Sequence, residues 1–89
     1  MARNVLVTHA ALDPDMPLSV QPDRFKLWGH PDFMRKSRRD GIWVAHGHVV
    51  VDFPSASQSR VSVDTGAVFT GRLTAAVLRP TGEPEFLQA

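Results

Sequence analysis

Ile42-Trp43-Val44-Ala45-His46-Gly47-His48 is the stretch on which the reading of the fold turns. Its first four residues are branched, aromatic or small and carry no charge, which suits a strand covered on both faces. The run passes straight into two histidines split by a glycine. Val5-Leu6-Val7-Thr8 repeats the pattern near the start of the chain, a short apolar run that stops at His9. Two such strands lying side by side bring the histidines that follow them to one rim, and strand ends with loops beyond them are where open α/β sheets gather their sites.

Working outward, Asp13-Pro14-Asp15-Met16-Pro17 sets two prolines among acidic residues, and neither helix nor strand continues through it. Residues 31–39 read as one short helix, with Pro31 in its first turn, basic residues toward its C-terminal end and Gly41 closing it. Val49-Val50-Val51 extends the second strand until Pro54, and 55–59 is a loop. Arg60-Val61-Ser62-Val63-Asp64 alternates polar and apolar residues, the period of a half-exposed strand. Val68-Phe69 and Leu73 to Leu78 give a short strand and a longer one, with Gly71 as the hairpin signal. Residues 80–89 read as a flexible tail. The fold class expected is therefore α/β (α+β), four to five mostly antiparallel strands with one short helix. Val5, Val7, Ile42, Val44, Leu73 and Val77 are the inward positions. One short helix covers one side of such a sheet, so the chain is expected to leave an apolar face open and to self-associate or pack against further chain.

Composition narrows the function classes. The chain has 89 residues, 43% of them hydrophobic and 21% charged, which is globular rather than disordered. Without cysteine there is no disulfide framework and no thiolate metal site, and a cytoplasmic setting is expected. No apolar run approaches the length of a membrane span, so no membrane partner is expected. A net charge of +1 is too weak a field to argue for nucleic acid, and no nucleic-acid partner is expected. Arg35-Lys36-Ser37-Arg38-Arg39 reads as a solvated helix end, with one aromatic, Phe33, beside it. Asp13, Asp15 and Asp52 read as turn and loop residues.

The chemistry lies in His9, His30, His46 and His48. A lone histidine at a strand end is ordinarily a hydrogen-bonded core or loop residue. Several after apolar strands shift the balance toward metal binding, because neutral imidazole is a common ligand of zinc, iron and manganese. Two histidines do not complete a site, since catalytic zinc takes three protein ligands and structural zinc four.

Those residues also carry a resemblance. Thr8-His9-Ala10-Ala11-Leu12-Asp13-Pro14, followed by Pro17-Leu18 and Gln21, resembles the V-H-A-G-L-x-P motif of the phosphoprotein phosphatase group of calcineurin-like metallophosphoesterases, which includes bacterial serine/threonine protein phosphatases and diadenosine tetraphosphatases. Leu27-Trp28 with Phe33 is similar to that family's tryptophan segment. Ala45-His46-Gly47-His48 with Val51-Asp52 and Pro54 resembles its V-H-G-H-T-P-V motif. Val63-Asp64-Thr65-Gly66-Ala67 and Gly71-Arg72-Leu73-Thr74-Ala75 resemble its closing I-D-T-G-A and G-G-x-L-T-A strands. The order and spacing agree over nearly all of 4–79.

The resemblance implies that residues 1–79 are the C-terminal part of a metallophosphoesterase β-sandwich. It further implies a dinuclear site of divalent metal, manganese or iron with zinc, which activates water for in-line attack on a phosphoester. Carried over motif by motif, His9 and His48 are ligands of the same metal, His46 lies behind them as second shell, and His30 stands where many members place a phosphate-contacting arginine. A phosphorylated protein or a nucleoside polyphosphate is the implied substrate. The family's G-D-x-H, G-D-x-x-D and G-N-H motifs, which hold the bridging aspartate and the general-acid histidine, are absent from this sequence, where Asn4 is the sole asparagine. Ala11 replaces a motif glycine, Val49-Val50 replaces Thr-Pro, and Thr70 replaces a glycine. The expectation is a phosphoesterase fragment inactive alone; the rival is a stand-alone, non-catalytic β-rich binding or self-association module.

Overall fold

Asn4–Thr8 (β1) lies parallel to Ile42–His46 (β2), in register from Asn4 opposite Ile42 to Thr8 opposite His46. On its other side β2 pairs in parallel with Arg60–Ser62 (β4), and β4 pairs antiparallel with Ser55–Ser57 (β3). The sheet order is β1-β2-β4-β3. Thr74–Val77 (β5) and Glu85–Gln88 (β6) make a separate antiparallel ribbon. Two short helices, Asp23–Trp28 (α1) and Ala67–Thr70 (α2), and a 3-10 turn at Leu18–Val20 occupy the connections. This computed structural model describes residues 4–79 and 82–89.

The mixed α/β class read from the sequence is the class the chain adopts, but the pairing inside it differs. Parallel ladders join β1 to β2 and β2 to β4, and only β3–β4 and β5–β6 are antiparallel. Parallel neighbours need a long crossover, and residues 9–41 supply it between β1 and β2.

The register places Leu6 beside Val44 and Arg60, and Thr8 beside His46 and Ser62, on one face. Ala10, Ala11, Leu12 and Phe33 form a core with Val44, and Leu6, Leu18 and Met34 pack around it. On the opposite face Val7 shares a row with Ala45 and Val61; the latter two are buried, while Val7 on the edge strand is 76% exposed. Of the positions expected to point inward, Val44 is buried, Val5, Ile42 and Val77 are half-buried, and Val7 and Leu73 are exposed. The first strand is thus covered less than its composition predicts.

Several local expectations are corrected. Residues 31–35 form turns rather than the start of a helix. The physical reason lies in Arg60, which is 7% exposed and whose Nη1 donates to Phe33 O at 2.9 Å and Lys36 O at 3.1 Å, spending carbonyls that a helix would use internally. Arg38, read as part of a solvated end, is 8% exposed. It donates to Asp13 O and Met16 O and pairs with the Asp40 carboxylate. Nearby, Arg35 pairs with Asp32 and Lys36 with Asp15. The helix forms earlier, at α1, between Pro22 and Gly29, whose N–H donates to Phe25 O at 3.1 Å. Val68 and Phe69, expected in a strand, lie in α2, bracketed by Gly66 at φ +71° and Gly71 at φ +75°. Within the expected tail, Pro80 and Thr81 lie outside the described residues, and Glu85–Gln88 is a strand rather than a flexible end, paired in register with β5 from Thr74 to Val77. Among the described residues no helix is long and apolar enough to cross a membrane.

The β3–β4 hairpin turns through Gln58 at φ +50° and Ser59 at φ +62°, the two positive angles of a type I′ turn, without glycine or asparagine at either position. The change Ser59→Gly is expected to raise stability by about 1 kcal/mol by removing strain there, while Gln58 keeps the hydrogen bond its Oε1 accepts from Arg60 Nη2. Urea unfolding midpoints of the two proteins check it.

Candidate functional site

β1 and β2 end level with each other, so the residues after them leave the sheet at the same edge. A backbone hydrogen bond from Gly47 N–H to His9 O, 2.8 Å long, ties the two exits together. The next hydrogen bond runs from Val49 N–H to Gly47 O at 2.7 Å, closing a three-residue turn with His48 at its centre and φ at +64°. That left-handed angle is costly for a residue with a side chain, and such strain concentrates at functional sites.

The outcome is that His9 and His48, both exposed, stand together at the rim with ring centres 5.2 Å apart and planes at 65°. Two imidazoles that each give one nitrogen to the same tetrahedral ion, at about 2.0–2.1 Å, hold their ring centres about 5 Å apart. The observed ring separation is of that size, and the two rings meet edge to face. Among the described residues no group of three or more His, Cys, Asp or Glu is arranged to hold a metal.

His46 takes a different place. It is buried on the core face, with Nε2 2.7 Å from Ser62 Oγ, Nδ1 3.0 Å from Gly47 O, and its ring edge-on to Phe33 at 4.7 Å. A carbonyl only accepts, so Nδ1 carries the proton and Nε2 accepts from the Ser62 hydroxyl. Through Gly47 O, His46 holds the same carbonyl that closes the turn around His48. Burial pushes the His46 imidazolium below its usual 6.5; the hydrogen bond to Gly47 and the Asp64 charge oppose this, and the Arg60 charge adds to it.

His30 is not free-standing either. Its Nδ1 accepts from Asp32 N–H at 3.1 Å, its Nε2 is 3.5 Å from Asp13 Oδ2, and Phe25 packs edge-on at 4.5 Å. It shares with His48 the wall of an open depression of about 430 Å³, whose other walls include Ala11, Trp28, Phe33 and Val49.

Three side chains that shape this region were not singled out as site residues in the sequence. Gln21 pins the loop after the first histidine: its Oε1 accepts from Asp13 N–H at 2.8 Å, and its Nε2 donates to Asp13 O and Met16 O. Ser62 meets His46 only because β2 and β4 are parallel in that register, a pairing the sequence does not display. Asp64 Oδ1 accepts from Gly66 N–H at 2.9 Å, and its other oxygen faces Gly47.

With this geometry in view, the comparisons with known proteins carry weight. The chain is similar to the bis(5′-nucleosyl)-tetraphosphatase PrpE (asymmetrical) of Bacillus mycoides (strain KBAB4), 31% identical over 86 residues that cover 81% of this chain and 35% of the relative. The chain is a distant relative of that tetraphosphatase. It spans about a third of the relative's length. No family model and no solved structure matches it.

Two predictions follow from the histidines. Because the folded chain holds His46 below 6.5, the unfolded chain takes up that proton first. Stability is complete above about pH 6.5 and falls as pH drops through that value. Urea midpoints at pH 7.5 and 5.5 measure the loss, and His46→Gln should shrink it. For His48, replacement by Gly relieves the left-handed backbone and is expected to add about 1 kcal/mol while deleting the imidazole; His48→Ala keeps the strain and lacks that gain. Thermal unfolding of the two variants distinguishes them.

Proposed function

We propose that this chain carries the histidine pair of a metal-dependent phosphoester hydrolase acting on phosphomonoesters or nucleoside polyphosphates, and that it does not turn over substrate alone. The observation that carries the reading is the His9–His48 pair at 5.2 Å on the rim above two parallel strands. The distant relation to a nucleosyl tetraphosphatase agrees with it.

In this reading His9 and His48 hold one divalent ion. His46 stays neutral in the core and positions His48 through Gly47 O, with Ser62 fixing its tautomer. The bound metals supply Lewis-acid activation of water and of the phosphoryl oxygens. His30 is the phosphate-facing side chain on the wall of the same depression, and an incoming phosphate has to displace the Asp13 carboxylate from its Nε2. Such a site would need ligands beyond His9 and His48, and the lack of G-D-x-H, G-D-x-x-D and G-N-H motifs in these 89 residues supports a chain without turnover of its own. A non-catalytic association module is favoured by a different observation, the exposed apolar side chains of Val7, Trp28 and Val50 near the rim.

Two measurements test the proposal. With manganese and p-nitrophenyl phosphate the purified chain should match buffer; a metal-dependent rate that disappears in His48→Gly would overturn the absence of turnover. In equilibrium dialysis, His9→Ala and His48→Gly should each weaken divalent-metal binding by at least about tenfold. Unchanged binding in both variants would remove the pair from the site.

A further inference from the structure

The open depression of about 430 Å³ has mostly apolar walls, Trp28, Phe33 and Met34 among them, with His30 and His48 as its titratable side chains. That size falls in the range of small-molecule sites. The aromatic groups differ in what already occupies them. Phe33 has His46 edge-on at 4.7 Å and the Arg60 guanidinium 5.9 Å from its ring centre. His30 meets Phe25 edge-on, and His48 meets His9. Trp28 differs: among the described residues no ring or cation packs on its indole, and the residue is 74% exposed. The backbone puts it there. α1 ends at Trp28, and Gly29, at φ +107°, turns the chain away while its N–H donates to Phe25 O. A Cβ on Gly29 would meet nothing within 4 Å, so the wall between Trp28 and His30 stands open.

We propose that Trp28 is the platform on which the base of a nucleoside polyphosphate stacks, with Gly29 leaving room for the ribose and the phosphates running toward His30 and His48. This rests on reading the depression as the substrate site of the proposed hydrolase, and it selects nucleotides over phosphoesters that lack a base. Every base has a π-face, so stacking needs no matching hydrogen-bond pattern on the wall. An apolar wall with one open indole offers that and little else. The base is neutral, so its stacking does not depend on the charge of His30, whose Nε2 lies 3.5 Å from Asp13 Oδ2. The phosphates fare differently, because no lysine or arginine lines the depression. The base, rather than the phosphate chain, therefore carries the affinity. An extended phosphopeptide is read by main-chain hydrogen bonds along a strand edge, whereas these walls come from turns and the end of α1.

The test titrates ATP, adenosine and inorganic tripolyphosphate into the full chain in EDTA, following tryptophan emission and, for tripolyphosphate, equilibrium dialysis. ATP and adenosine should quench the emission with similar affinities, and tripolyphosphate should bind at least about tenfold more weakly. Trp28→Leu should weaken ATP and adenosine about tenfold and leave tripolyphosphate unchanged, while Trp28→Phe, which keeps a π-face, recovers most of the loss. Trp28 lies at the surface, so thermal unfolding of both variants should match the parent chain. Tripolyphosphate binding as tightly as ATP, an ATP affinity unchanged in Trp28→Leu, or no nucleotide binding would each overturn the platform. Manganese dialysis separates this outcome from the reading on which it rests. Trp28→Leu should bind metal as the parent does. Metal binding that needs His9 and His48, without any effect of the base, would overturn the platform alone. Stacking on Trp28 in a chain that binds no metal would instead remove the hydrolase and leave the platform.

Discussion

The hydrogen bond from Gly47 N–H to His9 O is the constraint on which the arrangement of the histidines depends. It joins the points where β1 and β2 leave the sheet, and so converts a parallel register into a fixed separation between two side chains. Glycine suits this place because a Cβ there would lie 3.4 Å from His9 O, with Asp64 Oδ2 close behind at 3.9 Å. Once the two exits are tied, the tight turn that follows sends His48 outward while His46, one pleat earlier, faces the core. The two histidines of one short motif therefore face opposite ways, one buried in the core and one exposed at the rim.

Away from the sheet, the fold relies on guanidinium groups where larger domains use regular structure. Arg60 reaches from β4 to the carbonyls of Phe33 and Lys36, and Arg38 reaches from the same loop to Asp13 O and Met16 O. Each thus satisfies loop carbonyls that have no helix or ladder of their own, which meets the requirement that buried backbone polar groups be paired. Burial lowers the Arg60 pKa from its ordinary value, although not enough to discharge a group that starts so high. Arg38 has its charge answered by Asp40, whose carboxyl is held below its usual range mainly by that hydrogen bond. The long crossover from 9 to 41 is shaped, outside α1, mainly by these contacts and by Gln21, with Phe33 and Leu12 supplying its apolar anchor.

What the sequence displays is the part governed by local pattern. The apolar runs ending at His9 and at His46 are visible as strands, and their level ends follow from the two runs being alike in length and character. The prolines at 14 and 17 mark a loop, as found. What it hides is governed by partners far along the chain. Nothing near 31–39 announces that Arg60 will take two of its carbonyls, so helix propensity there loses to a distant guanidinium. The true helix, α1, does carry a local signal, since Pro22 and Asp23 open it and Gly29 closes it. The parallel sense of the ladders is likewise a tertiary matter: alternation in Arg60–Ser62 gives a strand but no direction.

Parallel pairing between the first strand and one whose residues lie beyond a long crossover also sets an order of events during folding. Asn4 finds its partner only when Ile42 has been reached, and β4 must then dock on the far side of β2 before Val44 is enclosed. Contacts this distant in sequence pay their loop-closure entropy before they return any burial, which slows folding relative to hairpin-built sheets. On a ribosome adding about 5–20 residues each second, the first strand would emerge seconds before its neighbour exists. During that interval its unpaired Val5-Leu6-Val7 edge is what a chaperone, or another nascent chain, would encounter.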